Sequence, residues 1–142
     1  MFVKQLSVFL ENREGRVLEV FNILKNADIN VCSVSLADTS QYGILRLLVN
    51  DVDKAQLVLK DHGISSKTTE VIAVNIPHVV GSLEGVLHAI SSAGINISYM
   101  YGLSLGGTGA SIAIKVNDTE GAKKALEPLG ITFYTDEDLK NL

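Results

Sequence analysis

Leu10-Glu11-Asn12-Arg13-Glu14-Gly15-Arg16-Val17 and Ile76-Pro77-His78-Val79-Val80-Gly81-Ser82-Leu83 are one piece of chain written twice. In each, an apolar run gives way to a short loop, a glycine and an amphipathic segment. The two glycines stand 66 residues apart, and the offset persists downstream. After Gly15 the apolar residues fall at Val17, Val20, Phe21 and Leu24; after Gly81 they fall at Leu83, Val86, Leu87 and Ile90. Both sets have the i, i+3, i+4, i+7 spacing of a helix that buries one stripe. Asp28-Ile29-Asn30-Val31 then matches Gly94-Ile95-Asn96-Ile97. Asp28 and Gly94 fall just past the helices, where a left-handed residue is wanted. At Val49-Asn50-Asp51 and Val116-Asn117-Asp118 the offset has become 67, one residue gained in the preceding loop or strand. Ala55, Val58, Leu59, Gly63 and Ile64 continue the match at Ala122, Ala125, Leu126, Gly130 and Ile131. Register kept over this length is a duplication.

Each repeat reads as strand, helix, strand, strand, helix, strand. The first predicts these over residues 2–10, 15–26, 30–36, 44–49, a helix capped by Asp51 and ended by Gly63, and 64–68, with a turn at 38–43. The second predicts them over 70–76, 81–93, 96–103, 110–116, 119–129 and 131–134. This βαββαβ order is the ferredoxin-like split unit, an α+β fold whose antiparallel sheet carries two helices on one face. The expected domains are residues 1–68 and 69–142. No linker separates them, because residues 64–76 must provide the last strand of one and the first of the other. A half of about 70 residues has a marginal core, so the two are expected to pack together, edge to edge or face to face.

Composition limits what such a protein does. The 142 residues are 46% hydrophobic and 20% charged, with a mean hydropathy of +0.26, which excludes disorder. Apolar runs such as 71–76 fall far short of the roughly 20 residues of a membrane-spanning helix. Residues 1–10 lack the basic segment and long apolar core of a signal peptide, so a cytoplasmic protein without a membrane partner is expected. The single cysteine, Cys32, rules out an internal disulfide and a cysteine-based zinc cage. Twelve basic against 16 acidic residues give a net charge of −4, the wrong sign for a nucleic-acid scaffold.

Strand parity predicts a homodimer. Ile29 and Val31 share one face of the second strand and Cys32, Val34 and Leu36 the other; Ile44 and Leu48 oppose Leu45, Leu47 and Val49; Val3 and Phe9 oppose Leu6, Val8 and Leu10. Apolar residues on both parities leave neither sheet face comfortable in water, unless the second half of the chain covers one of them.

Most chemical motifs have plain structural readings. Gly106-Gly107-Thr108-Gly109 aligns with Ser40-Gln41-Tyr42-Gly43, and no helix opens after it, so it reads as a hairpin turn rather than a phosphate cradle. Cys32 reads as a small core residue, since no histidine lies at the matching strand positions. His62 and His88 have no carboxylate or thiol at ligand spacing. Tyr99 and Tyr101 share the parity of Ile95 and Ile97, which favours core packing over base stacking. No nucleophile sits beside a base and no carboxylates are paired. The loops at Gly15 and Gly81 remain. A glycine at a helix mouth lets the backbone approach a ligand, and the exposed amides attract an anion such as a carboxylate; the competing reading is that these residues only cap the helix.

Strand, glycine loop, amphipathic helix and then Ile29-Asn30-Val31 or Ile95-Asn96-Ile97 resemble the ACT domain, over roughly residues 3–135. The resemblance implies the ferredoxin-like fold and amino-acid binding in metabolic regulation. Glu11-Asn12-Arg13-Glu14-Gly15 is similar to the effector loop of the serine-sensing ACT domain of phosphoglycerate dehydrogenases. There a loop asparagine and the asparagine opening the second strand hold the amino acid across a domain pair. By position those roles map to Asn12 and Asn30, and in the second repeat to His78 and Asn96. Glu14 stands where proline is usual before the glycine, Leu10 where an acidic or histidine residue is common, and Val80 before the second glycine.

The resemblance thus implies a tandem ACT protein with no catalytic domain, cofactor or metal, which binds a free amino acid and regulates a metabolic enzyme in trans. The implied contacts are Asn12, Arg13, Glu14, Gly15 and Arg16 with Asn30 and Val31, and His78, Val79, Val80, Gly81, Ser82 and Leu83 with Asn96 and Ile97. Two rivals stay open. An oligomerisation module would leave the asparagines idle. A small hydrolase of acylphosphatase type would pair Arg13 with Asn30, though the chain lacks that class's glycine-rich phosphate cradle.

Overall fold

The computed structural model describes residues 2–38, 41–105 and 107–142; Thr39 and Ser40 of the first expected turn and Gly106 of the second lie outside them. Among the described residues the strands are β1 (Val3–Glu11), β2 (Val31–Asp38), β3 (Tyr42–Val49), β4 (Ser66–Ile76), β5 (Ile97–Leu103), β6 (Ala110–Val116) and β7 (Thr132–Phe133). The helices are α1 (Arg16–Asn26), α2 (Val52–Asp61), α3 (Ser82–Ser92), α4 (Thr119–Leu126) and α5 (Asp136–Lys140). None is long and apolar enough to cross a membrane.

Two compact units form. One contains Lys4–Thr69 and Glu137–Leu142, the other Glu70–Asp136 with Phe2 and Val3. In the first, the strand order is β2-β3-β1 followed by the start of β4, with Phe9 donating its amide to the carbonyl of Ser65. Leu6 faces Leu47 and Val8 faces Leu45 across the antiparallel pair β1–β3. Those residues, with Leu10 and Val49, meet Val20, Ile23 and Leu24 of α1 and Ala55 and Leu59 of α2. The second unit repeats the plan as β5-β6-β4-β7, with Val74 opposite Phe133. Its core joins Ile72, Val74, Ile76, Ile112, Ile114 and Val116 to Val86 and Ile90 of α3 and Ala122 and Leu126 of α4. Each unit is the ferredoxin-like fold expected from the repeat.

Duplicated residues do duplicated work. Asp51 and Asp118 accept from Lys54 N and Gly121 N, capping α2 and α4. Asp28 (φ 59) and Gly94 (φ 73) take the left-handed conformation just after α1 and α3. Asn50 Oδ1 accepts the amide of Asn30 at 2.9 Å, and Asn117 Oδ1 that of Asn96 at 3.1 Å. Each asparagine thereby pins the opening residue of the neighbouring strand.

One expectation is corrected by the structure and two features add to the sequence reading. First, strict parity fails on β2 and β5. Val31 pairs with Val49 but Ser33 with Leu48, and Ile97 pairs with Val116 but Tyr99 with Lys115. Cys32 and Ser98 are therefore the extra residues of β-bulges, and every later side chain on the strand changes face. Val34 and Leu36 consequently lie opposite the core residues Leu47 and Leu45, on the side of Val31 rather than against it. Tyr99 and Tyr101 pair with Lys115 and Ala113, away from the core residues Ile114 and Ile112. They stack on each other, half-buried, with centroids 6.5 Å apart. Second, the last strand of the first repeat and the first of the second are one uninterrupted strand, β4. Third, α5 follows β7; one apolar residue, Leu139, in five positions leaves no period to read.

Candidate functional site

The two strand–helix loops lie where β1 meets α1 and β4 meets α3. Gly15 (φ 83) and Gly81 (φ 88) stand at the N-caps of α1 and α3. A Cβ at either position would meet nothing within 4 Å. These glycines are needed for their left-handed backbone, and the space beside them is open. Neither helix has a side-chain cap bond, in contrast to α2 and α4. The reading of the loop side chains as caps therefore fails: Arg16 N donates to Arg13 O at 3.4 Å and Ser82 N to Val79 O at 3.2 Å, and the amides that follow at the positive ends of α1 and α3 have no side-chain acceptor.

The first loop is polar and exposed. Asn12 donates its amide to Gln41 O at 3.0 Å, and Arg13 Nε lies 3.1 Å from Glu11 Oε2. That ion pair is solvated at both ends and holds the loop only weakly. Glu14 is exposed beside them. Arg16, the first residue of α1, reaches Glu19 Oε2 at 2.7 Å with Nη1, while its Nε is buried without a hydrogen-bond partner.

The second loop is apolar. Pro77, Val79 and Val80 are exposed, and Ser82 and Leu83 open α3 half-buried. His78 borders two cavities of about 480 and 470 Å³; Asn75, Pro77, Leu129 and Thr132 line the first, Leu103 and Ser111 the second. Behind them Asn75 Nδ2 donates to Thr108 O and Ser111 Oγ, both at 3.1 Å, and Ser111 Oγ lies 3.0 Å from Tyr134 Oη. The hairpin closes on this network. Gly109 (φ 88) leaves so little room that a Cβ there would stand 2.5 Å from Ile76 O and 2.9 Å from Asn75 Oδ1.

Asn30 and Asn96 lie elsewhere. Each is exposed at the entry to β2 or β5, next to half-buried Val31 or Ile97 and at the far end of its helix from the loop. The 11 residues of α1 put about 16 Å between the two ends. The structure therefore brings Asn12 together with Arg13 and Gly15, and Asn30 together with Asn50, but not Asn12 with Asn30 in one repeat. Arg13 and Asn30 are separated in the same way, which removes the acylphosphatase-like pairing. Asn30 opens onto a cavity of about 460 Å³ lined by Lys25, Asp28, Ile29, Asn50 and Leu142.

Sequence reading passed over Asn75, Asn50 and Asn117. The last two were marked by the repeated Val-Asn-Asp, but Asn75 has Phe9 as its counterpart and no repeat to mark it. Cys32 is buried, and burial pushes its thiol pKa up, away from nucleophilic use. His62 Nδ1 lies 2.8 Å from Val58 O at the end of α2, and His88 is exposed on α3. Among the described residues no three His, Cys, Asp or Glu side chains gather at metal-binding spacing.

A family model described as an ACT domain pair matches residues 1–142. The chain belongs to the ACT domain pair family. Among solved structures, this ACT domain pair is similar to protein BT0572 from Bacteroides thetaiotaomicron. The two are 34% identical over 100% of this chain and 98% of that one, with a TM-score of 0.92. It also shares its fold with the regulatory subunit of aspartate kinase from Thermus thermophilus in its ligand-free form (16% identity, 89% of this chain and 90% of that one, TM-score 0.64). The corresponding subunit from Thermus flavus is similar at 18% identity, over 88% and 90% of the two chains, with a TM-score of 0.62. No curated protein matches the sequence.

Proposed function

We propose that this ACT domain pair, with repeats at 1–68 and 69–142, is a non-catalytic cytoplasmic sensor that binds a free amino acid at its strand–helix loops and acts in trans on a metabolic enzyme. The observation that carries the reading is the contrast in capping. Asp51 and Asp118 close α2 and α4, whereas α1 and α3 begin at left-handed glycines with open space and no side-chain cap. A ligand carboxylate is the anion such amides accept. Asn12 or His78 then meets the ammonium or side chain from the loop, and Asn30 or Asn96 from a strand entry. Because Asn12 and Asn30 of one repeat stand at opposite ends of α1, a site that uses both kinds draws them from two different ACT domains. A homodimer makes such pairs. Its support is the edge strand β2, where Val34 and Leu36 remain 51% and 55% exposed. Affinities of about 1 µM to 1 mM, roughly −8 to −4 kcal/mol, are within reach of a few polar contacts and modest burial. Coupling to an enzyme must be reciprocal, so the partner's binding shifts the ligand's.

The test is a thermal-shift screen against each of the twenty amino acids, repeated on Asn12→Ala. At least one amino acid should raise the melting temperature of the parent chain. Asn12→Ala should weaken its binding by about 1–3 kcal/mol, the cost of leaving a ligand polar group unpaired. If no amino acid stabilises the parent, the sensor reading fails. If one stabilises both chains equally, Asn12 is not in the site.

A further inference from the structure

We propose that the segment Asp136–Leu142 is a strap that closes over Asn30, so that its docking and the binding of an amino acid at Asn30 exclude each other. The inference rests on the sensor reading above and adds its regulation. Glu137–Leu142 belongs to the compact unit of the first repeat, although it follows the second repeat in sequence. Within it Leu139 is 2% exposed, an anchor among exposed neighbours. The end of α5 is turned by Asn141 Nδ2 donating to Glu137 O at 3.0 Å and by Leu142 N donating to Leu139 O at 3.3 Å. This turn delivers the carbonyl of Leu142 to Asn30 Nδ2 at 3.4 Å. Leu142 also forms a wall of the cavity onto which Asn30 opens.

Asn30 is thus already partnered by the same kind of group, a carbon-bound oxygen, that an amino acid would present to it. Its counterpart differs. Among the described residues the side chain of Asn96 has no hydrogen-bond partner. The 3.4 Å bond is long and Asn30 is exposed, so the strap's hold comes from the Leu139 anchor and is released by a ligand that competes for the cavity. Ligand at Asn30 would then free α5, a change that a partner enzyme can read, while Asn96 stays open throughout.

The experiment compares the full chain, a chain ended at Thr135, and the full-length Leu139→Asp variant, which releases the anchor without shortening the chain. Each is titrated calorimetrically with each of the twenty amino acids, and hydrogen–deuterium exchange of residues 137–142 is followed in the full chain with and without the amino acid that binds. If docking is favoured ten to one, both variants should bind that amino acid about tenfold more tightly at the Asn30 site. Exchange in 137–142 should rise when ligand is added to the full chain. Equal affinities in all three chains, or exchange that is unchanged or slowed by ligand, overturn the strap while leaving the sensor reading intact. Absence of binding by every chain overturns both.

Discussion

At residues 11–16 the chain sets Glu11, Asn12, Arg13, Glu14 and Arg16 around Gly15; at 77–82 it sets Pro77, His78, Val79, Val80 and Ser82 around Gly81. The backbone is the same in both, a left-handed glycine opening an 11-residue helix without a side-chain cap. What surrounds it is not. The first loop holds itself through an exposed Arg13–Glu11 contact and one amide bond to Gln41. The second has no charged residue of its own and leans on a hairpin fixed by Asn75, Ser111 and Tyr134, whose counterparts in the first repeat are Phe9, Ile44 and Lys67. Duplication preserved the part that presents backbone amides and let the recognition side chains and their support diverge.

The largest effect that would sharpen this contrast is expected at Gly109. Ala there must adopt a left-handed backbone, at about 1–2 kcal/mol, and displace the Asn75 side chain or the Ile76 carbonyl, at about 1–3 kcal/mol more. Gly81→Ala carries only the first term, because its surroundings are empty. Chemical denaturation should place Gly109→Ala at least about 1 kcal/mol below Gly81→Ala. Equal losses would mean that the hairpin behind the second loop is not packed as tightly as the Asn75 network implies.

Binding should divide the loops next. With an asparagine and two arginines in one and a histidine and two valines in the other, the two sites should differ in affinity by about 1–3 kcal/mol for the same amino acid. Calorimetry should resolve one strong site per chain, or two distinct ones. Asn12→Ala should remove one phase and His78→Ala the other. A titration that fits two identical, independent sites would break the comparison.

Much of this is legible in the sequence. The 66-residue offset from Gly15 to Gly81 marked both loops, and Asp51 and Asp118 announced their caps. The failures have one physical root, contacts that local periodicity does not encode. A bulge at Cys32 or Ser98 inserts a residue without changing composition, so a parity count runs on and assigns Tyr99 and Tyr101 to the wrong face. Asn75 is given its role by Thr108 and Ser111, more than 30 residues away. The resemblance places Asn12 and Asn30 on an amino acid held across a domain pair, and the length of α1 keeps the two apart within one repeat.

Where the repeats agree, the mutational cost should agree as well. Asn50→Ala and Asn117→Ala each remove the acceptor for the amide that opens the adjacent strand, at Asn30 and Asn96. Each loss should be about 1 kcal/mol, near the net worth of one hydrogen bond at an exposed site where water can replace the acceptor. Matched shifts in urea midpoint, without a change in slope, would confirm that this pin is common to both units. A loss confined to Asn50 would show that the neighbouring Leu142–Asn30 contact adds to it.

The smallest effect concerns the one left-handed position that the repeats fill differently. Asp28 has φ 59 and is the single non-glycine residue with positive φ among the described residues, while its counterpart Gly94 takes φ 73 without strain. Aspartate tolerates this region better than most side chains, yet it still bears part of the clash between Cβ and the following carbonyl. Glycine relieves that clash but gains backbone freedom in the unfolded chain, so the two effects partly cancel. Relief should prevail at a helix C′ position, where glycine is the favoured residue, and Asp28→Gly should stabilise the protein by about 0.5 kcal/mol. Gly94→Asp should lower stability by a similar amount. Thermal unfolding of the two single variants and of the double swap tests both signs. If the exchange of Asp and Gly between repeats leaves the midpoint where it began, the two helix ends are energetically interchangeable, and the divergence between the repeats is confined to their loops.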